Sequence, residues 1–295
     1  MKKMKKLLAA LLALMMVFAL CACGGNSGAD NKYGTITPGV LTVVTSPDYA
    51  PYEFYALDDS GTPTLAGFDM ALAQYIADEL GLELEIIPMN FNGIVGEMGV
   101  GGADLAIAGL SPDPDRETAM DFSDIYYEGK QAFVTVADKA SLFTDLASTN
   151  SGEFTIATQT GTIQADLAAQ YSPNADLISL PKATDIIAEL VSGKLDGAYV
   201  EWDVAVAYQA NYPELTIVCE VPYEAEGNVI GVAKGNAALL EAVNAALNKC
   251  VEDGTFAQFV ADALEQASGA TASFVEGDIV DDNSGEVIVD GNSAE

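Results

Sequence analysis

The chain has 295 residues and a formal net charge of −32, with 44 acidic residues against 12 Lys and Arg, and it contains no histidine. Ser-His-Asp triads and His-ligated zinc are therefore excluded, and so negative a surface repels nucleic acid and anionic lipid. The cysteines are Cys21, Cys23, Cys219 and Cys250, too few for a thiolate metal cage beyond the N-terminus, although Cys219 and Cys250 can pair in an oxidising compartment.

Met1 to Lys6 carries four lysines and no acid, Leu7 to Leu20 is an apolar run, and Cys21-Ala22-Cys23-Gly24-Gly25 is small. That order is expected of an export signal over residues 1–22, and the apolar part is short for a bilayer-spanning helix, the competing reading. Leu20-Cys21-Ala22-Cys23 resembles the lipobox of bacterial lipoproteins, which implies cleavage before Cys23 and a diacylglyceryl group on its sulfur. Cleavage removes four lysines, leaving 8 basic against 44 acidic residues, or −36. Residues 23–37 are expected to be a flexible tether, since Asn26 to Lys32 is small and polar.

Beyond the tether, strand and helix patterns alternate. Val40 to Thr45 is a β-branched run ended by Ser46-Pro47-Asp48. Phe68, Leu72, Tyr75, Ile76 and Leu80 predict a helix stopped by Gly81. Leu82, Leu84 and Ile86 alternate as a strand, Asn92 is expected to cap a helix starting near Gly93, and Asp104 to Ala108 reads as a buried strand. This βαβαβ order predicts a largely parallel sheet flanked by helices. The grammar restarts after Asn150, with strands at Phe154 to Ala157, Leu177 to Leu180 and Gly197 to Val200, and helices at Thr162 to Gln170 and Ala183 to Val191. Val229 to Ala233 adds a strand, and two amphipathic helices follow, near Ala237 to Glu252 and Phe256 to Gln266. Extended segments at Gly129 to Thr135 and Val221 to Gly227 link the two units, so the expectation is two lobes around a cleft, with ligand at the carboxyl ends of strands. Residues 269–295 are expected to form an acidic, mostly disordered tail, in which Ile279-Val280 and Glu286 to Val289 can instead add a strand.

Arg116 is the chain's one arginine and follows a loop placed where the strand from Asp104 ends. A guanidinium grips a carboxylate with two parallel hydrogen bonds. A ligand carboxylate is one partner for it. An ion pair with Asp115, Glu117 or Asp121 is the other reading, and position and scarcity leave both open.

Several segments resemble the family 3 solute-binding proteins, the polar-amino-acid receptors of ABC importers. They are Ser46-Pro47-Asp48-Tyr49-Ala50-Pro51-Tyr52-Glu53-Phe54, Gly67-Phe68-Asp69-Met70-Ala71-Leu72-Ala73, Met89-Asn90-Phe91-Asn92-Gly93-Ile94, and Ala106-Ile107-Ala108-Gly109-Leu110-Ser111 with Arg116 and Met120 to Tyr127. Gln159-Thr160-Gly161-Thr162 and Ser192 to Ala198 match more loosely. The resemblance runs from about Gly39 to Leu264 and implies an α/β, periplasmic-binding-protein-like type II fold, two α/β lobes joined by a two-strand hinge. Residues 38–130 and 226–268 are expected in lobe 1 and 131–225 in lobe 2.

By the same resemblance Arg116 takes the α-carboxylate of a free amino acid, helped by Ser111 and by amides near Thr162 and Ile163. The Gly109 carbonyl and Glu201 take the α-ammonium, Tyr49, Tyr52 and Phe91 form apolar walls, and Ser46, Gln159 and Asp48 contact the side chain. Core packing is the alternative for the aromatics. Glu201 stands where the family usually has aspartate, and Ile163 where it often has threonine. The implied partners are a free polar or cationic amino acid, the membrane subunits of an importer, and the membrane through Cys23. The expected protein is an extracytoplasmic monomer with no cofactor, metal or nucleic acid. One alternative is a dehydratase-like enzyme with Glu201 as general acid and Arg116 as substrate clamp. Another is a sensory or adhesive lipoprotein that binds amino acids without delivering them.

Overall fold

The computed structural model describes residues 31–57, 60–224 and 227–269, with the backbone of 271–272, 279–280 and 287–288. The signal sequence 1–22, Cys23 and most of the tether lie outside the described residues. The chain divides between Lys32 and Tyr33 into two units, and all the sheets and helices below belong to the second.

In chain order the first elements are β1 (Val40–Thr45), β2 (Asp48–Tyr49), β3 (Glu53–Leu57), β4 (Pro63–Ala66), α1 (Phe68–Leu80), β5 (Glu83–Pro88), α2 (Phe91–Gly99), β6 (Leu105–Ala106) and β7 (Met120–Phe122). Then come β8 (Gln131–Val136), β9 (Thr155–Gln159), α3 (Ile163–Tyr171), β10 (Asp176–Leu180), α4 (Ala183–Val191), β11 (Gly197–Glu201), α5 (Trp202–Asn211) and β12 (Leu215–Val221). The last are β13 (Gly231–Ala233), α6 (Ala237–Glu252), α7 (Thr255–Ala267), β14 (Thr271–Ala272), β15 (Ile279–Val280) and β16 (Val287–Ile288).

Two five-stranded sheets organise these elements, ordered β5-β1-β6-β13-β7 and β10-β9-β11-β8-β12. β1 is buried along nearly its whole length, as a central parallel strand covered on both faces must be. It pairs in parallel with β5 and β6, while β13 runs antiparallel to β6 and β7. The second sheet repeats the arrangement: β9 is parallel to β10 and β11, and β8 is antiparallel to β11 and β12. The expectation of a largely parallel sheet thus needs correction, because each sheet is half antiparallel. A strand reached through a helical crossover returns in parallel, whereas β8 and β13 are fed from the opposite sheet and enter with the other polarity.

The chain crosses between sheets twice, from β7 to β8 and from β12 to β13. The two crossings run side by side through the antiparallel bridge Tyr127–Asn228, where Asn228 N–H donates to the Tyr127 carbonyl at 2.7 Å and Tyr126 N–H to the Asn228 carbonyl at 3.0 Å. This is a two-strand hinge between two α/β lobes.

Helix α1 has the predicted bounds, and Gly81 closes it in the left-handed conformation at φ 69°. Its start is fixed by Gly67, where a Cβ would lie 2.1 Å from the Tyr52 carbonyl oxygen. That close approach seats the helix on the β2–β3 turn, with Asp69 N–H donating to the Tyr52 carbonyl at 2.9 Å. Helix α2 begins two residues earlier than the Gly93 expectation, with Asn90 rather than Asn92 in the cap position. Within the stretch read as an acidic tail, β14, which the sequence did not suggest, pairs with β3, while β15 and β16 pair with each other as a separate two-stranded sheet. Cys219, partly buried on β12, and Cys250, buried on α6, are free thiols on elements of different lobes.

Candidate functional site

A cavity of about 380 Å³ lies where the two sheets face each other. Its walls hold Arg116, Glu201, Ser111, Gly109, Tyr49, Phe91, Thr162, Ile163, Gln159, Ser46 and Asp48, every residue singled out from the sequence except Tyr52. Tyr52 is fully buried behind the wall, its ring 4.4 Å from Phe68 and its hydroxyl 3.3 Å from Asn228 Oδ1. Its hydroxyl also hydrogen-bonds the Glu201 carboxylate, which lines the cavity.

At one end sits Arg116, 6% exposed, in a short helical turn after the β6 loop. Its Nη1 donates to the Ser111 carbonyl at 2.9 Å and its Nη2 to the Gly161 carbonyl, on the opposite lobe, at 3.1 Å. The guanidinium carbon lies 5.5 Å over the Phe91 ring. Among the described residues no carboxylate is within ion-pair reach of Arg116, and Asp121 pairs instead with Lys234 at 2.6 Å. Burial pulls the Arg116 pKa down, opposed by the charges of Asp113 and Asp166. The same wall is closed by the start of α3, where Thr162 is the cap residue and its hydroxyl donates to the Gln159 carbonyl at 2.7 Å. The first amides of a helix have no carbonyl partner within it, so this wall is favourable to an anion.

Glu201 marks another region of the cavity. It ends β11 and is 2% exposed. Its Oε2 accepts from the N–H groups of Asp203 at 2.8 Å and Val204 at 3.2 Å, capping α5, and its Oε1 accepts from Lys130 N–H at 3.1 Å. Burial, joined by the charge of Asp203, pushes its pKa up to about 8 despite these donors. Gly129 in the hinge leaves room for it, since a Cβ there would stand 2.6 Å from Glu201 Oε1.

Gly109, left-handed at φ 55°, is held from both sides of its peptide units. Its N–H donates to Asp69 Oδ2 at 2.8 Å and its carbonyl accepts from Asn228 Nδ2 at 2.8 Å, leaving one lone pair. Asp48 reaches across the cleft and accepts from Ser46 Oγ at 2.8 Å, Gln159 Nε2 at 3.1 Å and Ala183 N–H at 2.6 Å. Burial raises its pKa to about 6 against those bonds. These contacts commit much of the Asp48 and Gln159 side chains to joining the lobes.

The sequence reading missed Ala108, Gln131, Gln164 and Asn228, which also line the cavity, as does Glu53, whose nearness to Asp48 in the sequence keeps a cationic ligand in play. Gln164 Nε2 donates to Gln131 Oε1 at 2.7 Å and to Tyr49 OH at 3.2 Å. Gln131 and Asn228 sit in the two crossing segments, where a polar residue looks like linker. Each directly precedes an apolar run, Ala132-Phe133-Val134 and Val229-Ile230, and that position was the available signal.

A family model described as "Bacterial extracellular solute-binding proteins, family 3" matches residues 41–265. The arginine-binding extracellular protein ArtP of Bacillus subtilis is 30% identical over 257 residues, 85% of this chain and 94% of that protein. A crystal structure of the amino acid ABC transporter substrate-binding protein AbpA from Streptococcus pneumoniae, bound to L-arginine, superposes with a TM-score of 0.75 at 31% identity, covering 79% of this chain and 97% of that one. A cyclohexadienyl dehydratase from Pseudomonas aeruginosa is 25% identical over 209 residues, 70% of this chain and 76% of that enzyme.

Proposed function

The chain belongs to the bacterial extracellular solute-binding proteins, family 3, and from that premise we propose that it is the substrate-binding component of an ABC importer, capturing a free L-amino acid, polar or cationic, between its lobes by hinge closure. The observation that carries this reading is a buried arginine with no ion-pair partner among the described residues, lining the same cavity as a buried carboxylate from the other lobe. On this reading Arg116, with Ser111 and the Thr162–Ile163 amides, takes the α-carboxylate. Glu201 and the Gly109 carbonyl take the α-ammonium. Tyr49 and Phe91 flank the ligand, and Ser46, Asp48 and Gln159 bound its side chain.

A zwitterion is strongly hydrated, so a site must replace its water with preorganised charges and amides. Arg116 and Glu201 stand on opposite lobes, so closure is favoured only when a ligand bridges them, which is a population shift driven by differential contacts. Residues 38–130 with 226–268, and residues 131–225, are the lobes that move, and the closed form is what the membrane subunits recognise. The protein acts outside the cytoplasm, tethered through residues 23–37 by lipid on Cys23, with 1–22 removed and 269–295 forming an acidic tail. It works as a monomer without a cofactor.

A second reading is supported by the dehydratase relative and by Glu201 itself, whose raised pKa keeps it largely protonated at neutral pH, as a general acid requires. A thermal-shift screen of the twenty amino acids tests the first reading. At least one polar or cationic amino acid is expected to raise Tm by about 5 °C or more at saturating concentration. If none does, while a prephenate-like or arogenate-like compound is turned over, the enzyme reading replaces it.

A further inference from the structure

Behind Gly109, two carboxyl groups are buried against each other. Glu53 opens β3, Asp69 is the second residue of α1, and neither is exposed to solvent, although Glu53 also borders the cavity. Asp69 Oδ1 accepts from Tyr126 OH at 2.8 Å and Oδ2 from Gly109 N–H at 2.8 Å. Neither oxygen of Glu53 meets an N–H or O–H donor, and the polar group it does meet is the Asp69 carboxyl. The charged groups that face the pair are themselves acids, Asp48 from β2 and, through Tyr126, Glu201 from β11. Two touching carboxylates without a cation cannot both ionise in so dry a place, and a buried carboxylate with no donor is strongly disfavoured. One proton between them removes both problems.

We propose that Glu53 and Asp69 share a single proton, donated by Glu53, and that together they are the positioning pair that holds Gly109 with its carbonyl toward the cavity. Asp69 then accepts three hydrogen bonds, from Glu53, Tyr126 and Gly109, and remains an anion one peptide behind the proposed ammonium contact. Burial raises both groups, Asp69 to about 6 and Glu53 well above the usual carboxylate range, and because Asp69 has the donors Tyr126 and Gly109 that Glu53 lacks, Glu53 is the partner that keeps the proton. Neither carboxyl is assigned a contact with the ligand, and their effect on it passes through Gly109. The positioning half of the proposal rests on the amino-acid-binding reading of the cavity, whereas the shared proton does not.

The test combines infrared spectroscopy with calorimetry on wild type, Glu53→Leu and Glu53→Gln, using the amino acid captured in the screen. At neutral pH the wild-type minus Glu53→Gln spectrum is expected to contain the carbonyl stretch of a protonated carboxyl group, with or without ligand. Glu53→Leu, which removes the donor to Asp69, is expected to weaken binding about tenfold, and Glu53→Gln, which restores a donor, to recover most of that loss. Absence of the protonated-carboxyl band from the difference spectrum overturns the shared proton even if no amino acid binds. Glu53→Gln binding as weakly as Glu53→Leu, with the band present and both variants folded, overturns the positioning role alone.

Discussion

Replacing Arg116 with alanine is expected to weaken amino acid binding by about 3–5 kcal/mol, a loss of two to three and a half decades in affinity. The size follows from what the substitution strands. A ligand carboxylate drawn against these buried walls gives up water, and removing the buried Arg116 cation beside it leaves that charge uncompensated. Arg116→Lys is expected to fall in between, because an ammonium keeps the charge but cannot hold the Ser111 and Gly161 carbonyls and a bidentate carboxylate together. Both carbonyls also lose a donor in Arg116→Ala, so thermal unfolding of the ligand-free variant must be measured beside the calorimetry. A loss below tenfold in a folded variant removes Arg116 from the carboxylate role.

Affinity is expected to rise with pH by up to about tenfold per unit between about pH 6.5 and 8, and to level off above that. The Glu201 carboxyl titrates near 8 in the ligand-free protein, raised by burial and by Asp203. An ammonium ion beside it favours its charged form and lowers that value. Binding at neutral pH therefore expels a proton from Glu201, and a reaction that releases a proton strengthens as pH rises through the ligand-free pKa. Calorimetry in buffers of different ionisation enthalpy reads the released proton directly. Asp48 and Asp69, both near 6, lie below this window and do not imitate the effect within it. In Glu201→Gln the slope should vanish and affinity fall about tenfold or more, since the amide also disturbs the bonds to Lys130, Asp203 and Val204. A flat wild-type profile with no proton release contradicts the ammonium role.

The elements most legible in the sequence were those whose periodicity is long and locally decided. The β-branched-rich run of β1 and the thirteen-residue helix α1 with its terminal glycine are read directly from composition and spacing. What escaped is decided at a distance. β7 is three residues long, too short to show a period, and although the strands holding β6 and β13 were read from their apolar runs, the polarity of β8 and β13 is set by which lobe feeds them. The same holds at the cavity. Arg116 stood out by scarcity. Gln131 and Asn228 acquire their place only because the two crossings run side by side there.

The most direct test of the account is calorimetric titration of the wild-type protein with its captured amino acid, with the α-carboxamide of that amino acid, and with its N-acetyl derivative. If Arg116 and Glu201 hold the two charged groups of one zwitterion, each modified compound binds about a hundredfold more weakly than the parent or not at all. If either binds within tenfold of the parent, the charge it lacks is not what the cavity recognises.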